Sequence, residues 1–167
     1  RQTLQHHAHL YLFTVFVLIT WLLWIVKVVL SRRYRPWTEP HDTTTSVVIP
    51  VVDEPIDLFR DVLRRIIAQG PSQIVVVING KRNPVLEAVC DEFAGDLEWI
   101  WTPIAGKRNA VMLGTQRSWG EVVLLVDSDT IWTPGTLSEL VKPFADPTVG
   151  GVTTRQRILE PERSFLT

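Results

Sequence analysis

Two aspartates separated by one serine, Asp127-Ser128-Asp129, close the run VVLLVDSDT at 122–130 behind five apolar residues. Two carboxylates that close repel each other and raise one pKa. A divalent cation reverses the penalty, and hard oxygen ligands suit Mg²⁺ or Mn²⁺ held together with substrate phosphates. If residues 127–129 stay extended, alternation puts both carboxylates on one side of the chain. The plain alternative is an acidic turn after a strand, so the motif takes its force from its position. Upstream, Gly106-Lys107-Arg108-Asn109 opens a stretch of helical pattern. A helix N-terminus presents unpaired N–H groups to anions, and two adjoining cations strengthen that preference. A surface Lys-Arg pair is the alternative, and the P-loop pattern G-x-x-x-x-G-K-[ST] is absent. Taken together, the two motifs suit a diphosphate held between a metal ion and a basic loop.

The elements around them predict where both motifs sit. SVVIPVV (46–52) reads as a buried strand ending at Pro50. A helix follows with Asp57 as its cap and Leu58, Val62, Leu63, Ile66 and Ile67 inward, stopped by Gly70-Pro71. QIVVVI (73–78) is a second strand, Asn79-Gly80 a turn, and Pro84 opens a helix with Val85, Leu86, Val89, Cys90 and Phe93 inward. Cys90 is then core filler, not a nucleophile. LEWIW (97–101) makes a third strand whose Trp99 and Trp101 pack in the core or stack on a sugar. The stretch 106–118 is helical, EVVLLVD (121–127) is a central strand, and a helix runs from Pro134 to about Phe144. VGGVTT (149–154) is a fifth strand, after which Arg155 and Arg157 meet phosphate or solvent. This alternation with continuous apolar strands predicts an α/β fold with a parallel sheet covered on both faces. Ligands in such sheets bind outside the carboxyl ends of the strands. That places the chemistry at 50–54, 79–82, 103–108, 127–129 and beyond Val152.

The N-terminal part obeys different physics. Leu10 to Val26 contains no charge, Pro or Gly, and with Lys27 snorkelling the apolar span covers 10–30, 21 residues. A transmembrane helix needs about 20. Arg32, Arg33 and Arg35 follow it, and Tyr11, Trp24, Tyr34 and Trp37 suit the interfaces. These features predict an integral membrane protein, of the plasma membrane, whose residues beyond Ser31 are cytoplasmic. A cleaved signal peptide would carry its basic residues ahead of a shorter core. His6, His7 and His9 lack a carboxylate or thiolate beside them and read as an interfacial collar before the span, not a metal cluster. Residues 1–9 are thus a flank, 31–45 a basic juxtamembrane segment and linker, and 46–167 the soluble part. The chain starts on Arg, so it is expected to be a piece of a longer protein with earlier spans.

Composition excludes several classes. With 46% hydrophobic residues and 21% charged ones the chain is neither disordered nor of low complexity. One cysteine forms no internal disulfide, and no zinc-finger spacing occurs. The 17 basic and 18 acidic residues divide unevenly: 1–35 holds five bases and no acid, leaving the remainder six acids in excess. A net-acidic domain is a poor nucleic-acid binder, because such binding rests on neutralising phosphates.

SVVIPVVDEP, GKRNA, LLVDSDT and DPTVGGVTTRQRIL, in this order and spacing, resemble the family 2 glycosyltransferases of GT-A fold. Within that family the likeness is to processive membrane polysaccharide synthases, hyaluronan synthases in particular, and it covers about residues 46–166. The resemblance implies a sugar transfer from a nucleotide-diphosphate sugar, a UDP-sugar, to a growing polysaccharide or glycan acceptor, with inversion and with Mg²⁺ or Mn²⁺. By it Asp127 contacts the nucleotide or donor sugar, and Asp129 holds the metal on the diphosphate. Lys107 and Arg108 match the basic motif beside the phosphates, while Val51, Asp53 and Glu54 match the loop around the nucleoside. Gly151, within Gly150–Thr153, lies beneath the donor sugar. The family commonly has an acid after its second strand to read uracil; here Asn79 stands there, and an amide can pair with the same base. The family's later acidic motif, source of the catalytic base, and its Gln-Arg-Trp motif do not occur before Thr167. The expectation is therefore a partial domain, its donor-binding half, inactive alone and with no catalytic residue of its own. Two other readings stay open: a nucleotidyltransferase, disfavoured by the stiff, acidic Pro50–Glu54 loop, and a noncatalytic membrane-anchored module that binds a nucleotide sugar.

Overall fold

The computed structural model describes residues 2–157, with side chains from residue 11 onward. The side chains of His6, His7 and His9, and residues 158–167 of the expected soluble domain, lie outside what is described. The chain divides into two compact units, Arg1–Trp37 and Thr38–Thr167.

The first unit is a single helix, α1 (Gln2–Ser31). Its apolar stretch Tyr11–Ser31, 21 residues with a mean hydropathy of 2.4, is long enough to cross a membrane. At 1.5 Å per residue it extends about 30 Å, the thickness of a bilayer core. Trp21 and Trp24, three residues apart on one face, meet edge to face at 5.6 Å.

The second unit is an α/β domain built as β1 (Thr45–Val51), α2 (Ile56–Ile67), β2 (Gln73–Asn79), α3 (Pro84–Asp91), β3 (Glu98–Thr102), α4 (Lys107–Arg117), β4 (Val122–Leu125) and α5 (Thr136–Val141). All four strands are parallel, in the order β3-β2-β1-β4. β1 and β2 read as unbroken β-branched runs because both of their faces are covered. Val47, Ile49 and Val51 join Phe59, Leu63, Val76 and Ile78 in the core beneath α2 and α3. Val75 and Val77 point the other way and pack on Ala110 of α4. Asn83 caps α3 by accepting the Val85 and Leu86 N–H groups ahead of Pro84 at the first helical position. Cys90 is buried, and burial together with the nearby Asp91 and Glu87 carboxylates pushes its thiol up to about 12, which suits a core residue.

Small residues let α4 lie close on the sheet. A Cβ added at Gly114 would stand 2.3 Å from Val48 Cγ1 and 3.2 Å from Val77 Cγ2. Overpacking of this kind costs roughly 1–3 kcal/mol, so Gly114→Ala should lower the thermal midpoint by several degrees. An unchanged midpoint in a detergent melt would show that α4 does not sit on β1 this closely.

Several expectations need correction. Among the described residues β4 pairs with β1 alone, and Val123 and Leu125 are 36% and 59% exposed. An apolar run reveals tolerance of burial but not how many neighbours a strand has. VGGVTT forms no strand, and residues 149–157 are irregular and largely exposed. Two adjacent glycines, each losing more backbone freedom than any other residue, weaken pairing there. β1 does not end at Pro50 but runs on to Val51 against β2. Pairing with β4 stops earlier, at Val48↔Leu125, so the N–H that Pro50 lacks is not missed on that side. Asp57 does not cap α2: Pro55 precedes the helix without a side-chain cap, and Asp57 pairs with Arg60 at 3.3 Å. Phe59 is fully buried, while Leu58 and Ile67 are only partly so, and Val85 of α3 is exposed instead of inward. The helix expected from Pro134 starts at Thr136, after Gly135 at φ 83°, and gives way to a 3-10 turn at Lys142–Ala145 around Pro143.

Candidate functional site

From β1 the chain winds through β2 to β3, then crosses to the opposite side of β1 to enter β4. The strand order therefore reverses between β1 and β4, and a crevice at the carboxyl ends of such strands is where ligands of open α/β sheets bind. Both chemical motifs open onto this end. Asp127 to Asp129 follow β4, and Lys107 and Arg108 begin α4.

Residues 127–129 are not extended as expected. The Thr130 N–H donates to the Asp127 carbonyl at 3.1 Å and closes a turn. Even so, Asp127 and Asp129 are exposed, while Ser128 between them is 6% exposed. The Ser128 hydroxyl donates to the Glu54 carboxylate at 2.8 Å, tying the loop after β1 to the acidic turn. Sequence reading missed Ser128; its place between two acids was the available signal. Glu54 thus braces the acidic turn through one of its carboxylate oxygens.

α4 begins with two cations in its first turn and no acid. Positive charge at a helix N-terminus opposes the macrodipole, and the N-cap residue Gly106 has no side chain to offer the first turn. The arrangement concentrates positive potential at the crevice at some expense to the helix. Lys107 relieves part of it by pairing with the Asp127 carboxylate. Both partners are well exposed, so the pair contributes little stability and remains exchangeable.

Asn79, at the end of β2, is 1% exposed. Its Nδ2 donates to the Val51 carbonyl at 3.2 Å and its Oδ1 accepts the Gly106 N–H at 3.0 Å. Each polar end of the amide is engaged within the chain. Val51 is buried and contributes its carbonyl here. Asp53 and Arg108 are exposed at the same end of the sheet and, among the described residues, make no side-chain hydrogen bond with the others. Gly151 and Asp127 line one cleft of about 440 Å³ between β4 and the irregular segment 150–154. A larger cleft of about 590 Å³ lies between β3 and α4, lined by Ile100, Trp101 and Leu113 but by no carboxylate. Chemistry favours the former. Trp101 packs partly against the core, donates to the Gly80 carbonyl at 3.2 Å and carries the Arg82 guanidinium 4.8 Å above its ring. Trp99 likewise packs on the core and donates to Asp91 at 2.9 Å. Arg155 and Arg157 are exposed on irregular chain.

The donor set suits a hard divalent cation. Two exposed carboxylates two residues apart match Mg²⁺, which takes one or two protein carboxylates and completes its shell with water and phosphate. Among the described residues no group of three or more His, Cys, Asp or Glu side chains gathers into a self-sufficient metal cage.

A parallel sheet covered on both faces, with an acidic turn and a basic helix start meeting at its switch point, defines a doubly wound α/β domain with an anion-directed crevice. Residues 46–165 match the model of glycosyl transferase family 2, and the chain belongs to that family. It is 34% identical over 135 residues to an N-acetylglucosaminyltransferase of Azorhizobium caulinodans, covering 77% of this chain and 34% of that protein. It is 32% identical over 162 residues to a hyaluronan synthase of Streptococcus pyogenes, covering 90% of this chain and 38% of the synthase. A Mesorhizobium japonicum N-acetylglucosaminyltransferase is 34% identical over 123 residues, 70% of this chain and 28% of that protein. The chain thus spans about a third of the length of these relatives.

Proposed function

We propose that this chain is the donor-binding part of a membrane-anchored glycosyltransferase that moves a sugar from a UDP-sugar to a growing polysaccharide, in the manner of a hyaluronan synthase. The observation that carries the reading is the meeting of Lys107 and Asp127, delivered from the start of α4 and the end of β4 to one crevice. Family membership and the hyaluronan synthase relative supply the reaction class. The α4 N–H groups, Lys107 and Arg108 take the diphosphate, for a helix start and cations complement its charge. Val51, Asp53 and Glu54 border the nucleoside, Asn79 stands behind them, and Asp127 and Gly151 flank the sugar. Asp129, with Asp127 beside it, takes the Mg²⁺ or Mn²⁺. Such an ion, when bound, acts as a Lewis acid on the leaving diphosphate. The base that activates the acceptor hydroxyl is assigned to no described residue. Residues 10–30 form the membrane anchor, 31–45 the juxtamembrane linker and 46–167 the donor-binding half of the glycosyltransferase domain. Arg32, Arg33 and Arg35 after the span favour a cytoplasmic domain at the plasma membrane.

The test is calorimetry on the full chain in detergent, with UDP, UDP-sugars and ADP, with and without Mn²⁺. Metal-dependent binding of UDP and its sugars, with weaker binding of ADP, is expected. No binding of any nucleotide diphosphate would defeat the reading.

A further inference from the structure

We infer that Asn79 is a positioning residue of the donor site: its buried amide locks the start of α4, and with it Lys107, against the end of β1. The inference rests on the donor-site reading above and adds to it the part that sets its shape.

Asn79 joins residues 28 and 27 positions away on either side, and both bonds are buried or partly buried. The chemistry fixes its orientation. Turned over, the amide would set its NH₂ against the Gly106 N–H and its oxygen against the Val51 carbonyl, two like-with-like contacts. Only a side chain with a donor and an acceptor on one short stem satisfies both neighbours. Gly106 most needs such help. It sits at φ 123° and ψ 131°, a conformation that L side chains rarely adopt, and has no side chain with which to cap the helix. Its carbonyl accepts the Ala110 N–H at 3.2 Å, the first bond of α4. Whatever holds the Gly106 amide therefore also sets where the first turn begins and where Lys107 emerges. Asn79 supplies that hold from β2, which is paired with β1 on one side and β3 on the other. The bond to Val51 transmits the same register to the loop after β1, whose Glu54 braces Ser128. The base-side loop, the phosphate-side helix and the acidic turn are coupled through two side chains, Asn79 and Glu54.

Inorganic pyrophosphate separates positioning from contact, because it has no base for Asn79 to touch. Asn79→Leu keeps the volume and removes both polar ends. In the full chain in detergent with Mn²⁺, this variant should lose pyrophosphate and UDP affinity alike, on the order of 10-fold, as expected when a buried donor and acceptor lose their partners. Unchanged pyrophosphate affinity with weakened uridine and UDP would make Asn79 a base contact and overturn the inference. Unchanged affinity for all three, with only a lowered melting midpoint, would make it a core residue and overturn it as well. Wild-type protein that binds neither pyrophosphate nor UDP would defeat the donor-site reading itself. Residue-resolved amide exchange on the unliganded wild type tests the brace without any ligand and without the variant. Gly106 should exchange far more slowly than the neighbouring Lys107, and equal rates would sink the brace even if nucleotides bind.

Discussion

Asp129→Asn is expected to bind UDP equally with and without Mn²⁺. The two aspartates are not equivalent in the free protein. Asp127 is paired with Lys107, whereas Asp129 is exposed and, among the described residues, has no hydrogen-bonded or ionic partner. Asp129 is therefore the carboxylate that takes a cation without first displacing another. At an effective dielectric of about 20, a unit charge about 4 Å away is worth about 4 kcal/mol, and tenfold in affinity is about 1.4 kcal/mol. Removing a directly bound carboxylate should thus reduce the Mn²⁺-dependent gain by about 100-fold or more. Asparagine keeps the shape and one oxygen but is a poor ligand for Mg²⁺ or Mn²⁺. The fold should be indifferent, because an exposed substitution in a turn changes stability by no more than about 0.5 kcal/mol. Calorimetry of UDP against the variant, beside a thermal melt, decides it. Persistent metal dependence at wild-type strength would reduce the Asp-Ser-Asp motif to an acidic turn.

What could be read from the sequence follows from what periodicity encodes. β1 and β2 announced themselves because a strand buried on both faces must be apolar at every position, and Val47 to Ile49 and Ile74 to Ile78 are. Pro84 marked the start of α3 by local chemistry alone, whereas the Asn83 cap before it emerged only from the structure. The order of strands was not legible. The apolar residues of β4 fit a strand with one neighbour or two, and nothing in them says that β1 is the strand beside it. Gly150-Gly151 was read as a weakened strand, but nothing in a glycine pair specifies a ladder. At the site, the residue types and their gathering at the carboxyl ends were legible because parallel α/β topology sends every strand-to-helix loop to the same end. The partnerships were not. That Glu54 would meet Ser128, 74 residues on, and that Asn79 would spend its amide on Val51 and Gly106, depends on register between strands. No local pattern carries that information.

Lys107→Ala should move two affinities in opposite directions. In the free protein Lys107 is the counter-ion of Asp127, and the nucleotide's diphosphate competes for the same ammonium. A charged hydrogen bond to phosphate is worth roughly 1.5–3 kcal/mol, so UDP and UDP-sugars should weaken on the order of 10- to 100-fold. Uridine, which has no phosphate, should bind the variant and the wild type alike. Mn²⁺ alone should bind the variant more tightly, because the cation that shares Asp127 has gone. An exposed pair contributes at most about 1 kcal/mol, so this gain should not exceed about fivefold. The two signs together separate Lys107 from a residue that merely supports the fold, whose loss would weaken every ligand. Helix α4 itself should tolerate the change, since alanine is the best helix former and removes a cation from the positive end of the helix dipole. Titrating Mn²⁺ by electron paramagnetic resonance, and UDP and uridine by calorimetry, reads all three quantities. Equal losses for UDP and uridine, or weaker Mn²⁺ binding in the variant, would remove Lys107 from the phosphate site and leave its pairing with Asp127 a surface contact.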